Sequence, residues 1–314
     1  MGRYIVGRLI GLVGVLLAIS VITFLLMHAA PGGPYDEEML AKGYASEVVK
    51  QEIMAKYGLD RPMWEQYRSY LWRLLHLDLG SSFVLSSETV GQLIGRTWKV
   101  SIHLGLMTML VSFVGGLGLG LLAALKQNTW LDYLASLLAV SSYVTPSFVI
   151  AVGLVLIFAV WLDWLPTGGW TSPKQWILPV LAYSAGPMAA VARYTRSSVI
   201  DALGMDYVRT ARSKGLKESR VILVHVLKNA LIPLLTIAGP LVTTLITGSL
   251  FIETIFRIPG LGQIFVKGVV WRDYPVIMGT TLLLASLVSL MYLLTDIAYT
   301  WADPRIRFVD ELAR

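Results

Sequence analysis

Six stretches of the chain, each 18 to 30 residues long, contain no Asp, Glu, Lys or Arg. A helix needs about 20 consecutive apolar residues to cross the hydrocarbon core of a bilayer. The stretches cover residues 9–27, 100–125, 133–162, 175–192, 229–252 and 275–295. Only 15% of all residues are charged, against about 25% in soluble domains. We therefore predict an all-α, polytopic membrane protein with six transmembrane helices.

The first stretch is interpreted as a retained anchor helix. Arg3 and Arg8 precede it, as in a signal peptide, but it is longer than the usual apolar region of about 7–15 residues. The predicted organisation is an N-terminal anchor helix at 1–28, an extracytoplasmic helical segment at 29–96, a five-helix transmembrane domain at 97–302 with a cytoplasmic loop at 200–228, and a cytoplasmic tail at 303–314.

The orientation follows from the basic residues in short loops, which favour the cytoplasmic side. Eight Lys or Arg residues lie between residues 193 and 228, after the fourth stretch, whereas Lys174 is the only one between the third and fourth stretches. With an even number of spans, both termini are predicted to be cytoplasmic. The net charge of +6 is then explained by a basic cytoplasmic face, without a nucleic-acid partner.

The segment between the first two spans is predicted to be helical. Ser46 is a candidate N-cap for one helix that Gly58 ends, and Asp60 is a candidate cap for a second helix with Pro62 near its first turn. The apolar stripe of the second helix consists of Met63, Tyr67, Tyr70, Leu71 and Leu74. This segment suits either contact with a delivery protein or packing on the outer ends of the spans.

The basic loop after the fourth stretch contains a short amphipathic pattern at residues 207–214. Tyr207, Ala211 and Leu216 supply a small apolar surface among cations, and Gly215 is a natural residue for a sharp turn after the helix. A short helix held between two spans suits docking into a groove on a soluble partner. The alternative is a basic loop that only fixes topology; the order of helix, glycine and second basic helix favours docking.

The same loop carries a family resemblance. Residues 207–233 resemble the EAA loop of ABC-importer permeases, in the form typical of their oligopeptide/dipeptide branch. Arg209-Thr210-Ala211 stands where the general pattern has Glu-Ala-Ala, and Gly215 follows at the family spacing. The chain departs from the general pattern at the acidic residue and at the final proline, and both departures match the peptide branch.

Further pieces resemble the same family in order along nearly the whole chain. They are residues 30–34, 57–62, 78–80, 124–128, 165–170, 247–256, 259–262, 272–275 and 303–307. The resemblance implies a permease subunit, without catalytic residues, in the cytoplasmic membrane of a bacterium or archaeon. The implied partners are a second permease, two cytoplasmic ATPase subunits, an extracytoplasmic substrate-binding protein and membrane lipid.

The resemblance also assigns roles to particular residues. The ATPase-docking residues on the implied coupling helix are Tyr207, Arg209, Thr210, Ala211, Lys214, Gly215 and Leu216. No cofactor is expected in this chain, because ATP and Mg²⁺ belong to the partner ATPases. Independently, the sequence contains no GxxxxGK[ST] phosphate-binding loop.

The favoured cargo is an oligopeptide, with dipeptides, nickel chelates, glutathione or oligosaccharides as alternatives within the family. Polar residues in the spans are candidates for lining the pathway, although such residues also bond to helix carbonyls. The candidates are Ser141, Ser142, Thr145, Thr243, Thr244 and Thr247. Five prolines predict either hinges or static bends: Pro146, Pro179, Pro187, Pro233 and Pro240.

Two other classes of protein fit the sequence less well. An ion-coupled secondary transporter usually places ionisable residues at mid-membrane, whereas His103 lies near one end of the second stretch and Asp296 lies at the cytoplasmic end of the sixth span, just beyond the uncharged stretch. An intramembrane enzyme needs a nucleophile and base, or metal ligands, on facing helices. Ser101 and His103 are too close in sequence to share a helix face, and the chain has no cysteine, no HExxH and no GxSxG. We predict no metal site.

Overall fold

A computed structural model describes residues 2–30, 54–55, 57–85 and 88–302. The predicted helix from Ser46 falls mostly outside these residues, as does the predicted tail at 303–314. The described residues form helices and turns, with one isolated bridge between Ser81 and Thr89. The all-α prediction is confirmed for this part of the chain.

The helices follow one another in a simple order. They are α1 (Gly2–Ala29), α2 (Met63–Leu75), α3 (Val90–Leu125), α4 (Trp130–Val144), α5 (Ser147–Leu154), α6 (Pro173–Leu203), α7 (Asp206–Ser213), α8 (Leu227–Ile246), α9 (Leu250–Ile255), α10 (Leu261–Val270) and α11 (Tyr274–Ala302). A π-helical stretch, Val155–Trp161, continues α5, and Glu218–Arg220 with the π-helical Val221–Val226 leads into α8.

Four of the described helical stretches are long and apolar enough to cross a membrane. They are Val6–Ala29, Val90–Leu125, Ile237–Ile255 and Tyr274–Leu294. A bent pair, Trp130–Val144 with Ser147–Trp161, makes a fifth if both helices belong to one span. The structure therefore supports a membrane protein with four or five candidate spans in the described part.

The predicted third span is divided into two helices at Pro146. Thr145, the residue before the proline, has an extended conformation with ψ of 124°, because the proline ring disfavours helical geometry at the preceding position. The axes of the two helices differ by 109°. Pro146 thus breaks the helix, whereas the other four prolines noted in the sequence lie inside α6 and α8.

The chain forms two compact units, of which the first comprises residues 1–100 and 259–293. Its apolar contacts join Phe24 of α1 to Tyr70 of α2 and to Met278 of α11. Tyr67, Leu71 and Leu74 pack against this cluster, which confirms most of the predicted stripe. The prediction is wrong for Met63, because its side chain is exposed at the first turn of α2.

The predicted turns around α2 are partly confirmed. Gly58 adopts a φ of +67°, and the Gly58 and Leu59 amides donate to the Ala55 and Met54 carbonyls, which is the Schellman arrangement. Asp60 does not cap the next helix. Pro62 occupies the N-cap position of α2, and no side chain caps the helix, because the proline ring has no hydrogen-bond acceptor.

Asp273 joins two distant segments of the first unit. Its buried carboxylate accepts hydrogen bonds from the Ser82 hydroxyl, from the Val84 amide at 3.2 Å and from the Val276 amide at 3.3 Å. These bonds hold the loop before α3 against the first turn of α11.

Replacing Asp273 by alanine is expected to lower the melting temperature of the purified subunit. The change leaves a buried hydroxyl and two amides without an acceptor, at a cost of about 1–3 kcal/mol. Differential scanning fluorimetry in detergent measures the effect, with limited proteolysis near Ser82 as a second readout. Ser82→Ala, which removes one donor and leaves the carboxylate its amide bonds, is expected to be milder. Equal melting temperatures for wild type and Asp273→Ala would contradict this assignment.

The second unit comprises residues 101–258 and 294–314. Within it, α3 lies in close backbone contact with its neighbours. A Cβ on Gly105 would lie 2.3 Å from the Leu245 carbonyl oxygen of α8, and one on Gly120 would lie 2.4 Å from the Ala192 carbonyl oxygen of α6. Small residues allow this close approach between helices in lipid. The basic helix α7 belongs to the same unit.

Candidate coupling helix and translocation segments

The helix α7 ends in a well-formed turn at Gly215. Gly215 has a φ of +73°, and its amide donates to the Arg212 carbonyl at 2.9 Å, while the Leu216 amide donates to the Ala211 carbonyl at 3.4 Å. This pair of bonds is a Schellman motif with glycine at C′. The observed helix, Asp206–Ser213, lies within one residue of the predicted 207–214.

One face of α7 is buried within the chain itself. Val208 and Ala211 belong to a cluster with Val199 and Ala202 of α6, with Val221 and Val226 of the segment leading into α8, and with Ala230 of α8 itself. Leu216 packs against the same cluster. The helix is therefore anchored at once to the end of α6 and to the beginning of α8.

The opposite face of α7 is exposed and mostly cationic. Arg212 forms a two-point ion pair with Glu218, at 2.6 and 3.2 Å, and the hydrogen bond from Arg212 lowers the pKa of the Glu218 carboxyl. Arg209 lies 3.7 Å from Asp206 in a fully exposed pair, which contributes little stability. The Arg212–Glu218 pair links α7 to the residues just beyond the glycine turn.

The predicted docking residues fall into two sets. Tyr207, Arg209, Thr210, Lys214 and Gly215 are exposed. Ala211 is buried and Leu216 is half-buried against the chain's own cluster, so these two anchor the helix. The predicted apolar surface of Tyr207, Ala211 and Leu216 does not lie on one face, because Tyr207 is exposed whereas Ala211 and Leu216 pack inward. Val208 is buried beside Ala211; its spacing of three from that residue was the available signal.

The candidate pathway-lining residues are also divided by the structure. Ser141 is exposed, Ser142 and Thr145 are half-buried, and all three lie at the α4–α5 break. Thr243 is buried, and its hydroxyl donates to the Gly239 carbonyl at 2.9 Å. Thr244 and Thr247 donate to helix carbonyls as well.

A buried carboxyl group that sequence reasoning missed lies beside the α8–α9 break. Glu253 of α9 is fully buried, and one of its oxygens accepts a hydrogen bond from the Ser101 hydroxyl at 2.7 Å. Gly248 forms the break with a φ of +84°, and a Cβ there would lie 2.6 Å from Glu253 Oε1. The Tyr183 hydroxyl of α6 donates to the Thr244 and Gly248 carbonyls.

These contacts fix the position of a helix break. Gly248 ends α8, and α9 then begins with Ser249, whose hydroxyl accepts from the Ile252 amide. Ser101 of α3 and Tyr183 of α6 reach the break between α8 and α9, so four helices meet there. The break interrupts the candidate span Ile237–Ile255, and irregular backbone at such a position requires protein partners for its polar groups.

Several apolar helices long enough to cross a bilayer indicate an integral membrane protein. Two family models match the chain: "Binding-protein-dependent transport system inner membrane component" over residues 116–308, and the N-terminal component of the same system over residues 1–97. The chain belongs to this family of ABC-importer permeases. It is a transport subunit, and ATP hydrolysis resides in separate subunits of such systems.

Curated relatives match nearly end to end. The chain is 42% identical over 307 residues to the dipeptide transport system permease protein DppB of Bacillus subtilis (strain 168), covering 98% of each protein. It is 42% identical over 308 residues to the oligopeptide transport system permease protein OppB of Escherichia coli (strain K12), covering 98% of this chain and 99% of that protein.

The fold is shared with a solved transporter structure. The MetNI methionine ABC transporter, in an inward facing conformation, aligns with a TM-score of 0.52 and 19% identity, over 66% of this chain and 94% of the solved one. The predicted family is thus confirmed by sequence, and the helical transporter fold is supported by structure.

Proposed function

We propose that this chain forms half of the translocation pathway of an ATP-driven peptide importer in the cytoplasmic membrane. The support for peptide cargo is that relatives named for dipeptide and oligopeptide transport match over 98% of the chain. Oligopeptides remain the favoured cargo. We also propose that partner subunits bind ATP and Mg²⁺; the absence of a phosphate-binding loop from the sequence supports this.

The proposed topology has six crossings with both termini in the cytoplasm. Besides the four long apolar stretches, α6 is one crossing: its 31 residues extend about 46 Å at 1.5 Å per residue, more than the hydrocarbon core of about 30 Å. The bent α4–α5 pair is the other. The segment at 54–85 then lies outside, where it is available to a substrate-binding protein.

The observation that carries the mechanism is the two-sided anchoring of α7. Its buried face packs on residues of both α6 and the segment leading into α8. A displacement of α7 therefore moves these two helices together, since packed interiors transmit strain. Two ATPase subunits gripping α7 and its counterpart on a second permease would in this way open the pathway alternately to each side.

The proposed topology can be tested by labelling single introduced cysteines, because the chain has no native cysteine that must first be replaced. Lys174, in the first turn of α6, and Arg220, beyond its last residue, are both exposed, so Lys174→Cys and Arg220→Cys introduce single thiols toward opposite ends of the proposed crossing. A membrane-impermeant maleimide is expected to label Lys174→Cys in intact cells stripped of their outer barriers, and Arg220→Cys only in inside-out vesicles. Labelling of both thiols from one side would contradict a crossing by α6.

The proposed activity is tested by reconstitution. Proteoliposomes containing this chain with its second permease and ATPases, supplied with the substrate-binding protein, are expected to accumulate labelled peptides only when ATP is present. Uptake should persist when an ionophore collapses the proton gradient. Uptake that needs the proton gradient and not ATP would contradict the proposal and favour a secondary transporter.

A further inference from the structure

A groove in the second unit lies outside both the α7 surface and the α8–α9 break. It encloses about 300 Å³ between α3, α4 and α6. Its walls are mainly small and apolar, with Gly120 and Ala123 from α3, Ala139 from α4, and Ala189 and Ala192 from α6. The volume is at the lower end of the range for small-ligand sites, which suits a single flexible hydrocarbon chain.

Two arginines of α6 line the same groove, and only one of them is neutralised. Arg196 forms a two-point ion pair with Asp132, at 2.6 and 2.8 Å. Arg193 is exposed, and its guanidinium lies 4.9 Å from the centre of the Tyr143 ring and 5.9 Å from that of Tyr194. No carboxylate pairs with Arg193 among the residues that the structure describes. The groove therefore carries a net positive charge.

We propose that this groove binds an anionic phospholipid, with an acyl chain between α3, α4 and α6 and the phosphate at Arg193. An apolar channel with one uncompensated cation matches a molecule that has an apolar chain and an anionic head. Basic pockets between transmembrane helices on the cytoplasmic side bind anionic headgroups. The Tyr143 and Tyr194 rings hold the guanidinium at the groove by cation–π contact.

The inference rests on the proposed topology, which puts Arg193 near the cytoplasmic leaflet, where anionic lipids act on basic residues. Another occupant of such a small-residue groove is a helix of the second permease, because small residues also favour helix packing. Charge complementarity favours lipid. A packed helix would need a carboxylate opposite Arg193, whereas an anionic phospholipid carries both a negative headgroup and an apolar acyl chain.

Native mass spectrometry of the purified complex, titrated with phosphatidylglycerol or phosphatidylcholine, tests the proposal. Wild type is expected to retain phosphatidylglycerol in preference to phosphatidylcholine. Arg193→Gln should weaken phosphatidylglycerol binding about fivefold, the effect of one basic residue at a membrane surface, and Arg193→Lys should largely keep it. Ala139→Leu, which fills the groove and keeps the charge, should reduce binding of both lipids.

The matched control is Arg220→Gln, which removes the same charge from an exposed position outside the groove. It is expected to leave phosphatidylglycerol binding unchanged. Equal binding by Arg193→Gln, Arg220→Gln and wild type would overturn the proposal, as would full binding by Ala139→Leu. A cross-link from Ala139→Cys to the second permease, or displacement of lipid by transported peptide, would assign the groove to those occupants. ATP-dependent uptake by wild type, measured separately, shows whether the transport proposal stands in either case.

Discussion

Replacing Gly248 by alanine is expected to abolish peptide uptake and to reduce the yield of folded subunit at least tenfold. The residue has a φ of +84°, and its Cβ would lie 2.6 Å from Glu253 Oε1 and 3.3 Å from the Ser101 side chain. The left-handed conformation costs about 1–2 kcal/mol for a residue other than glycine. Displacing Glu253 from Ser101 breaks the buried hydrogen bond between them, at about 1–3 kcal/mol because one partner is charged.

These costs are large relative to a total stability of about 5–15 kcal/mol. Size-exclusion chromatography of the solubilised subunit and uptake by the assembled transporter measure the two effects. The matched control is Gly186→Ala in α6, where nothing lies within 4 Å of the new Cβ; it is expected to be neutral or slightly stabilising. If Gly248→Ala behaved like Gly186→Ala, the contact between Glu253 and the break would be wrong.

Replacing Gly215 by tryptophan is expected to uncouple ATP hydrolysis from uptake, lowering peptide transport at least tenfold. The position is exposed, has a φ of +73°, and has nothing within 4 Å of a new Cβ. The backbone strain of about 1–2 kcal/mol and the added bulk on the proposed docking surface are therefore separable. Substrate-stimulated ATPase activity and uptake, measured on the same proteoliposomes, report coupling.

Three side chains at this position separate strain from bulk. Asparagine tolerates left-handed backbone conformations, so Gly215→Asn is expected to retain most of the coupled activity. Gly215→Val introduces strain with little bulk and should be intermediate, whereas Gly215→Trp adds both. Wild-type coupling in Gly215→Trp would remove the evidence that this surface meets another subunit. Equal loss in all three variants would assign the effect to the turn alone.

Sequence patterns predicted those helices and turns whose geometry depends on residues adjacent in sequence. The helix at 207–214 and its glycine turn were predicted within one residue of α7, because a Schellman motif is set by six consecutive positions. The same reasoning succeeded at Gly58. Periodicity also predicted the stripe on α2, except at Met63, where the first turn extends beyond its packing partners.

Features that depend on packing between residues distant in sequence were not predicted. Glu253 follows the apolar stretch at 229–252 by one residue, and its burial depends on Ser101, 152 residues away in sequence. Pro146 was recognised as a possible hinge or bend, but composition does not reveal an angle of 109° between α4 and α5. Val208 was missed because it stands in a polar and charged stretch, between Tyr207 and Arg209; its burial depends on Val199 and Val221.

The most direct test of the account is a cross-link from the exposed face of α7. In the assembled complex, Thr210→Cys lies on that face, while Ala211→Cys, the adjacent position, points into the chain's own cluster. A short bifunctional reagent is expected to join Thr210→Cys to an ATPase subunit, with a yield that changes when ATP is hydrolysed, and to leave Ala211→Cys unlinked. Labelling of Thr210→Cys only from outside the cell, with no link to an ATPase, would contradict the account.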